Sequence, residues 1–271
     1  MEITLTAADG YALGAATFGS GGKPVLVMPA TGVPQSYYAK FAAYLAERGF
    51  SVLTFDYRGI GRSRNGELRK MDARMRDWAL LDAAAAFQHL PSDVLIVGHS
   101  FGGQALGLLP EVERICGALI VGSQSGYWGN WPALGRLWMW PATHFGLDGV
   151  TNLFGYFPGS RLGFGEDLPP GVAKEWAAWC RHPRYLVGAL GVDDTYARVR
   201  APLRAYAISD DVFAPLPAVE ALGRLYPNAR WETRRLVPGE LGVNSIGHFG
   251  FFRERFRDSL WREAADWLER Q

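Results

Sequence analysis

Val94-Leu95-Ile96-Val97-Gly98-His99-Ser100-Phe101-Gly102-Gly103 decides the fold. An apolar, β-branched run stops abruptly in Gly-His-Ser-Phe-Gly, and a helix-like stretch follows, Gln104 to Leu109. Strand, sharp turn and helix in that order form the setting in which a G-x-S-x-G motif presents a nucleophilic serine. The two outer glycines have a steric job. Ser100 must take a strained backbone conformation to lift its Oγ off the sheet, and side chains at 98 and 102 would collide across so tight a turn. The first N–H groups of the new helix, including that of Phe101, then face the space in front of Ser100. The structural alternative is a glycine-rich turn with an ordinary serine. The strand before the motif and the helix after it favour the chemical reading.

On both sides of this stretch, strands alternate with helices. Glu2–Ala7 and Tyr11–Phe18 read as a hairpin around Asp9-Gly10. Val25–Met28 is a continuous apolar run, the pattern of a strand buried on both faces of a parallel sheet, and Ser51–Phe55 reads as another buried strand. Between them lies an amphipathic helix, Tyr37–Arg48, ended by Gly49. A long helix is expected over Met71–Leu90, then the Val94–Gly98 strand, then a strand at Gly117–Val121. After an interruption come strand Leu203–Ile208, helix Leu216–Leu225, strand Arg230–Leu236, a loop through His248 and a last helix near Asp258–Arg270. The expected class is therefore α/β, a mostly parallel sheet with helices on both faces.

The interruption, residues 123–188, breaks the rhythm with Pro, Gly and short helical pieces such as Trp131–Trp140 and Val172–Cys180. Six of the ten tryptophans fall between Trp128 and Trp179. It reads as an insertion into a core made of residues 1–122 and 189–271.

Composition narrows the function classes. The 271 residues suffice for one large α/β domain. A net charge of +1 gives no electrostatic case for nucleic acid or an anionic membrane. The start, Met1-Glu2-Ile3-Thr4-Leu5-Thr6, lacks the basic and apolar regions of a signal peptide. No apolar run is long enough to span a bilayer. Cys116 and Cys180 fit no metal or redox spacing and read as reduced thiols of a cytoplasmic protein. No metal and no organic cofactor is implied.

A serine hydroxyl needs a general base, and the base needs an orienting acid. Of the five histidines, His248 stands in the loop between the last strand and the last helix, Ile246-Gly247-His248-Phe249-Gly250. Loops leaving the carboxyl ends of parallel strands line one edge of the sheet, so His248 and Ser100 are expected to meet there. His99 adjoins Ser100 and should point its ring away from it. The acid should follow a strand lying between serine and histidine in the chain. Leu203–Ile208 leads into Ser209-Asp210-Asp211-Val212-Phe213-Ala214-Pro215. Asp211 is the choice, with Asp210 the alternative, and the other aspartate should be a turn residue before Leu216. Two N–H groups should receive an oxyanion. Phe101 supplies one; the other should come from the loop after Val25–Met28, Thr31 first and Ala30 next. Asp56 and Arg58 read as a charged pair bracing a Gly-x-Gly loop.

At these residues the chain resembles an α/β-hydrolase along nearly its whole length. The resemblance rests on Gly98–Gly103, Phe55-Asp56-Tyr57-Arg58-Gly59-Ile60-Gly61-Arg62-Ser63, Asp211–Pro215 and Gly247–Gly250. Through Pro29-Ala30-Thr31-Gly32-Val33, Gly126-Tyr127-Trp128 and Leu168-Pro169-Pro170-Gly171-Val172 it is similar to bacterial members grouped with serine aminopeptidase (S33)-like enzymes. The resemblance implies Ser100, Asp211 and His248 as nucleophile, acid and base, and Phe101 and Thr31 as the oxyanion hole. It also implies that 123–188 is a helical cap over Ser100. The cap aromatics Tyr127, Trp128, Trp131, Trp138, Trp140, Phe145, Phe154, Tyr156, Trp176 and Trp179 are candidates for an apolar pocket. The expected lining is Ala30, Tyr127, Trp128, Trp131, Phe213 and Phe249.

The function expected is hydrolysis of a small to medium, partly apolar carboxylic ester through an acyl-enzyme. The same triad would serve an amidase or aminopeptidase, a lactonase, a thioesterase or an acyltransferase. An aminopeptidase would use cap carboxylates to bind the substrate amine, and Glu166, Asp167 and Glu175 are available. Arg161, Arg181 and Arg184 could meet a substrate carboxylate or be surface charges. A binding protein on the same fold is the reading from another class. The expected partner is a small molecule, with neither nucleic acid nor membrane, and an exposed aromatic cap face would suit a homodimer.

Overall fold

The structure is a computed structural model that describes residues 1–91 and 93–271. Eight strands form one sheet: β1 (Glu2–Thr6), β2 (Ala12–Phe18), β3 (Pro24–Met28), β4 (Ser51–Phe55), β5 (Val94–His99), β6 (Ile115–Val121), β7 (Pro202–Ile208) and β8 (Arg230–Leu236). Their order is β1-β2-β4-β3-β5-β6-β7-β8. The β1–β2 and β2–β4 pairs are antiparallel and the rest are parallel. The expected mostly parallel sheet is what forms.

The central strands are continuously apolar because helices cover both faces. Val25, Val27, Leu95 and Val97 enter one core with Phe41, Leu45, Trp261 and Leu268. Leu26, Met28 and Ile96 enter the other with Trp78, Phe87 and Leu106. Successive side chains of one strand thus feed opposite cores, as the two-residue period requires. At the edge, β8 carries Arg230, Glu232, Arg234 and Arg235, charges that discourage further strand pairing.

The chain runs from β3 to β4 on one side, then crosses back to β5 on the other. At such a reversal the loops after the two strands diverge and leave a crevice at their carboxyl ends. That places the Ala30–Thr31 loop and Ser100 side by side.

Three helices differ from expectation. The helix read from Met71 begins at Met75, where the Asp77 carboxylate accepts the Arg74 N–H at 2.7 Å and starts the first turn. Its middle, Trp78–Ala83, is wound wide as a π-helix before Ala84–His89. The helix after Ser100 starts at Phe101, runs to Gln104, and tightens to a 3₁₀ turn over Ala105–Leu108. His248 lies on a single helical turn, Gly247–Gly250, rather than in an open loop.

Between β6 and β7 the chain forms helices Ala133–Pro141, Leu147–Phe154 and Pro170–Arg181, with a π-wound link at Ala142–Gly146. Two further helices, Tyr185–Leu190 and Asp193–Arg198, follow before β7. The outer face exposes Leu134, Leu137, Phe145 and Leu153. No described helix is long and apolar enough to cross a membrane.

Asp56 and Arg58 are structural, but not as a pair. Asp56 accepts from Gln35 N, Gln35 Nε2 and Arg62 N. Arg58 instead bridges buried Asp82 and Asp9.

Candidate active site

Ser100 has φ 50° and ψ −114°, a conformation that costs a non-glycine residue of order 1–3 kcal/mol. Its N–H donates to Val121 O at 2.9 Å, which ties the turn to the neighbouring strand. A Cβ on Gly102 would stand 2.0 Å from Met28 O, and one on Gly98 would stand 2.6 Å from Gly103 Cα. The turn therefore closes only with glycine at both places, as the motif predicts.

His248 Nδ1 and Asp211 Oδ2 lie 2.7 Å apart. The other Asp211 oxygen accepts from Phe213 N at 2.8 Å and Ala214 N at 3.0 Å, which fixes the carboxylate plane. Asp211, not Asp210, faces the imidazole. Asp210 is more than the turn residue expected of it. It accepts from Ser245 Oγ, Ile246 N and Gly247 N, so it grips the segment that carries His248. Burial alone would raise its pKa; these hydrogen bonds outweigh burial and hold it below the usual carboxylate value.

His99 is fully buried, its ring packed against that of His248. Burial, aided by the nearby His248, drives its pKa well below the ordinary value, so the ring is neutral. Its hydrogen bonds assign the tautomer. Nε2 lies 3.0 Å from the His248 carbonyl and donates to it. Nδ1 then accepts from the Tyr38 hydroxyl at 2.8 Å. That hydroxyl in turn accepts the Ala30 N–H at 2.9 Å. One buried chain thus runs from the loop after β3 to the backbone of His248. It also engages the Ala30 N–H, whereas the N–H groups of Thr31 and Phe101 have no hydrogen-bond partner among the described residues.

Tyr38→Phe should strand both the Ala30 N–H and His99 Nδ1 in a dry interior. Urea unfolding is expected to show a loss of about 2 kcal/mol. Ester kcat/KM should fall with it as the Ala30–Thr31 loop loses its anchor. Unchanged values of both would refute the coupling.

Ser100, Thr31 and His248 open onto one cavity of about 110 Å³. Ala30, Trp131, Phe213 and Phe249 line it, as expected. Tyr127 and Trp128 do not. Their rings pack on each other, and Trp128 joins the small core of Trp131, Met139 and Ala218. Trp138 and Trp176, both among the candidate cap aromatics, line it too, whereas Met139, Ala142, Thr143, Leu147, Phe157, Phe164, Leu168 and Cys180 of the insertion, with Gln124 and Gly126 at its root, are lining residues that the sequence does not single out. Trp131 is pinned by its indole N–H to Val212 O at 3.0 Å, beside Asp211. Edge-to-face contacts then run from Trp131 to Trp138, Trp138 to Phe213 and Phe213 to His248.

The charges of the insertion are committed elsewhere. Glu166 accepts from Gly61 N, Asp167 from Ser160, and Glu175 pairs with Arg76. Arg181 pairs with Asp148 and Arg184 with Asp193, while Arg161 lies over Phe154. None of them lines the cavity. Among the described residues no cluster of three or more His, Cys, Asp or Glu could hold a metal ion.

Fold and site define the class, a parallel-sheet α/β protein whose strained serine turn sits at a strand's carboxyl end beside a histidine–aspartate pair. The chain belongs to the alpha/beta hydrolase family, matching it over residues 25–266. Solved structures share the fold. An esterase from Exiguobacterium antarcticum superimposes with a TM-score of 0.65 at 18% identity, covering 99% of this chain and 100% of its own. An esterase from Pyrococcus furiosus gives 0.64 at 16% identity, covering 100% of this chain and 90% of its own. A bromoperoxidase from Bacillus anthracis gives 0.64 at 16% identity and covers 100% of both chains.

Proposed function

We propose that this chain is a serine carboxylic ester hydrolase. The observation that carries the reading is the apolar cavity shared by Ser100, Thr31 and His248, with Asp211 bonded to the far side of the imidazole. Ser100 Oγ attacks the ester carbonyl while His248 Nε2 takes its proton. The Phe101 and Thr31 N–H groups receive the oxyanion. Collapse expels the alcohol, which leaves with the proton from His248. Water, activated by the same nitrogen, then attacks the acyl-enzyme, releases the acid and restores Ser100. Catalytic hydrogen bonds are often loose before substrate binds, and here Ser100 Oγ and His248 Nε2 have no partner among the described residues.

Residues 123–188 act as the cap that excludes water. The cavity is of the order of the ~150 Å³ apolar void that accommodates benzene in another protein, so a short acyl or alkoxy group fills it. Committed cap carboxylates disfavour an aminopeptidase, which needs a free anion for its substrate amine. Backbone strain at Ser100 disfavours a pure binding protein, for which it has no use. Unpaired Cys116 and Cys180 suit a reducing compartment such as the cytoplasm.

The test is a panel of p-nitrophenyl esters of graded acyl length, the matching anilides, and lactones, with acid-quenched protein analysed by peptide mass. Short esters should be turned over fastest, with the acyl mass on the Ser100 peptide. Faster anilide or lactone turnover, or acyl mass elsewhere, would reject the proposal.

A further inference from the structure

In this apolar cavity, Gln124 is a buried amide whose orientation is set from behind. The Tyr185 hydroxyl is buried, and its proton goes to Gln104 Oε1 at 2.9 Å. Gln104 must then present its amide nitrogen on the other side, and Nε2 donates to Gln124 Oε1 at 3.0 Å. Gln124 therefore turns its own NH₂ away from Gln104. That nitrogen has no hydrogen-bond partner among the described residues and is not sealed in the protein, while Gln124 lines the cavity.

A second observation supports a held geometry. Among the described residues Tyr185 is one of three non-glycine residues with positive φ, at 49°, and Ser100 is another. It is fully buried, and its ring passes where a Cβ on Gly126 would stand, 2.5 Å from Tyr185 Cε2. Gln104 is anchored through its backbone as well: its N–H reaches Ser100 O, and its carbonyl accepts from the Tyr196 and Tyr226 hydroxyls. A strained tyrosine thus holds a glutamine one helical turn from the nucleophile, and that glutamine aims a second one.

We infer that Gln124 is a specificity-determining residue, and that the preferred substrate is an ester whose apolar acyl or alkoxy group carries a hydrogen-bond-accepting oxygen a few bonds from the scissile carbonyl. The inference rests on the ester reading of the site and names its substrate class. An all-carbon group leaves the Gln124 N–H donors dry and unpaired, whereas an ether, keto or hydroxyl oxygen at the right place satisfies one. A buried donor left unpaired is costly enough to be read in kcat/KM.

The experiment is an oxa-scan. Two ester series of fixed length, one varied in the acyl chain and one in the alkoxy chain, have each CH₂ replaced in turn by an ether oxygen. Wild-type protein is expected to favour one position by about tenfold in kcat/KM over the all-carbon parent. Gln124→Met should flatten the series by speeding the parent and slowing the favoured ether. Gln124→Glu keeps an acceptor for Gln104 and removes the donors, so it should also lose the preference; it decides the matter if the methionine variant fails to fold. Turnover with flat series in wild type, or a preference that survives both variants, overturns this inference and leaves the ester reading standing. No turnover of any ester overturns the ester reading and this inference with it.

Discussion

Replacing Ser100 with alanine is expected to lower kcat for ester hydrolysis by about 10⁵-fold or more, the scale on which loss of a triad nucleophile acts. The fold should survive. Ser100 Oγ has no hydrogen-bond partner among the described residues, and alanine meets the same backbone strain at φ 50°. Thermal unfolding should therefore match that of the wild type while turnover disappears. What turnover remains would come from the Phe101 and Thr31 donors acting on water's attack. A variant retaining a tenth of wild-type kcat in clean protein would refute Ser100 as nucleophile.

Asp211→Asn should cost about 10⁴-fold in kcat, through the tautomer of His248. The Phe213 and Ala214 N–H groups already donate to one Asp211 oxygen, at 2.8 and 3.0 Å. An asparagine would turn its carbonyl toward these two donors and its NH₂ toward His248 Nδ1. Nδ1 would then have to accept, the ring proton would move to Nε2, and the nitrogen facing Ser100 could no longer take a proton. Asp210→Asn is the control. It keeps one oxygen for Ser245, Ile246 and Gly247, so its effect should fall on stability, by about 1 kcal/mol, with kcat within about tenfold of wild type. The reverse ranking of the two variants would move the acid role to Asp210.

The fold was legible because its signals are local. Continuous apolar runs at Val25–Met28 and Val94–Val97 are what double-sided burial selects, and Gly98 and Gly102 are what the tight turn admits. The topological address of His248 followed from chain order alone. The rest depended on contacts between residues distant in sequence. Asp210 and Asp211 are adjacent and chemically identical, and only the twist of the β7 exit separates the one that meets His248 Nδ1 from the one that grips Ile246 and Gly247. Tyr185, Gln104 and Gln124 lie on different elements, so no spacing announces their chain of hydrogen bonds. Aromatic clustering pointed to the insertion but not to which rings face inward. Trp131 lines the cavity with its indole N–H held by Val212 O, whereas Trp128, three residues away, packs against Trp131, Met139 and Ala218 and does not line it. The late start of the helix at Met75 was hidden because apolar periodicity continues through residues that are not helical.

The most direct test of the central claim is reaction with a fluorophosphonate probe, read by peptide mass spectrometry on wild type, Ser100→Ala and His248→Ala. A single phosphonylated residue, Ser100, with labelling abolished in Ser100→Ala and slowed by orders of magnitude in His248→Ala, is the result predicted. Folded wild-type protein that stays unlabelled, or labelling of Ser100 at the same rate without His248, would contradict an assembled and activated nucleophile.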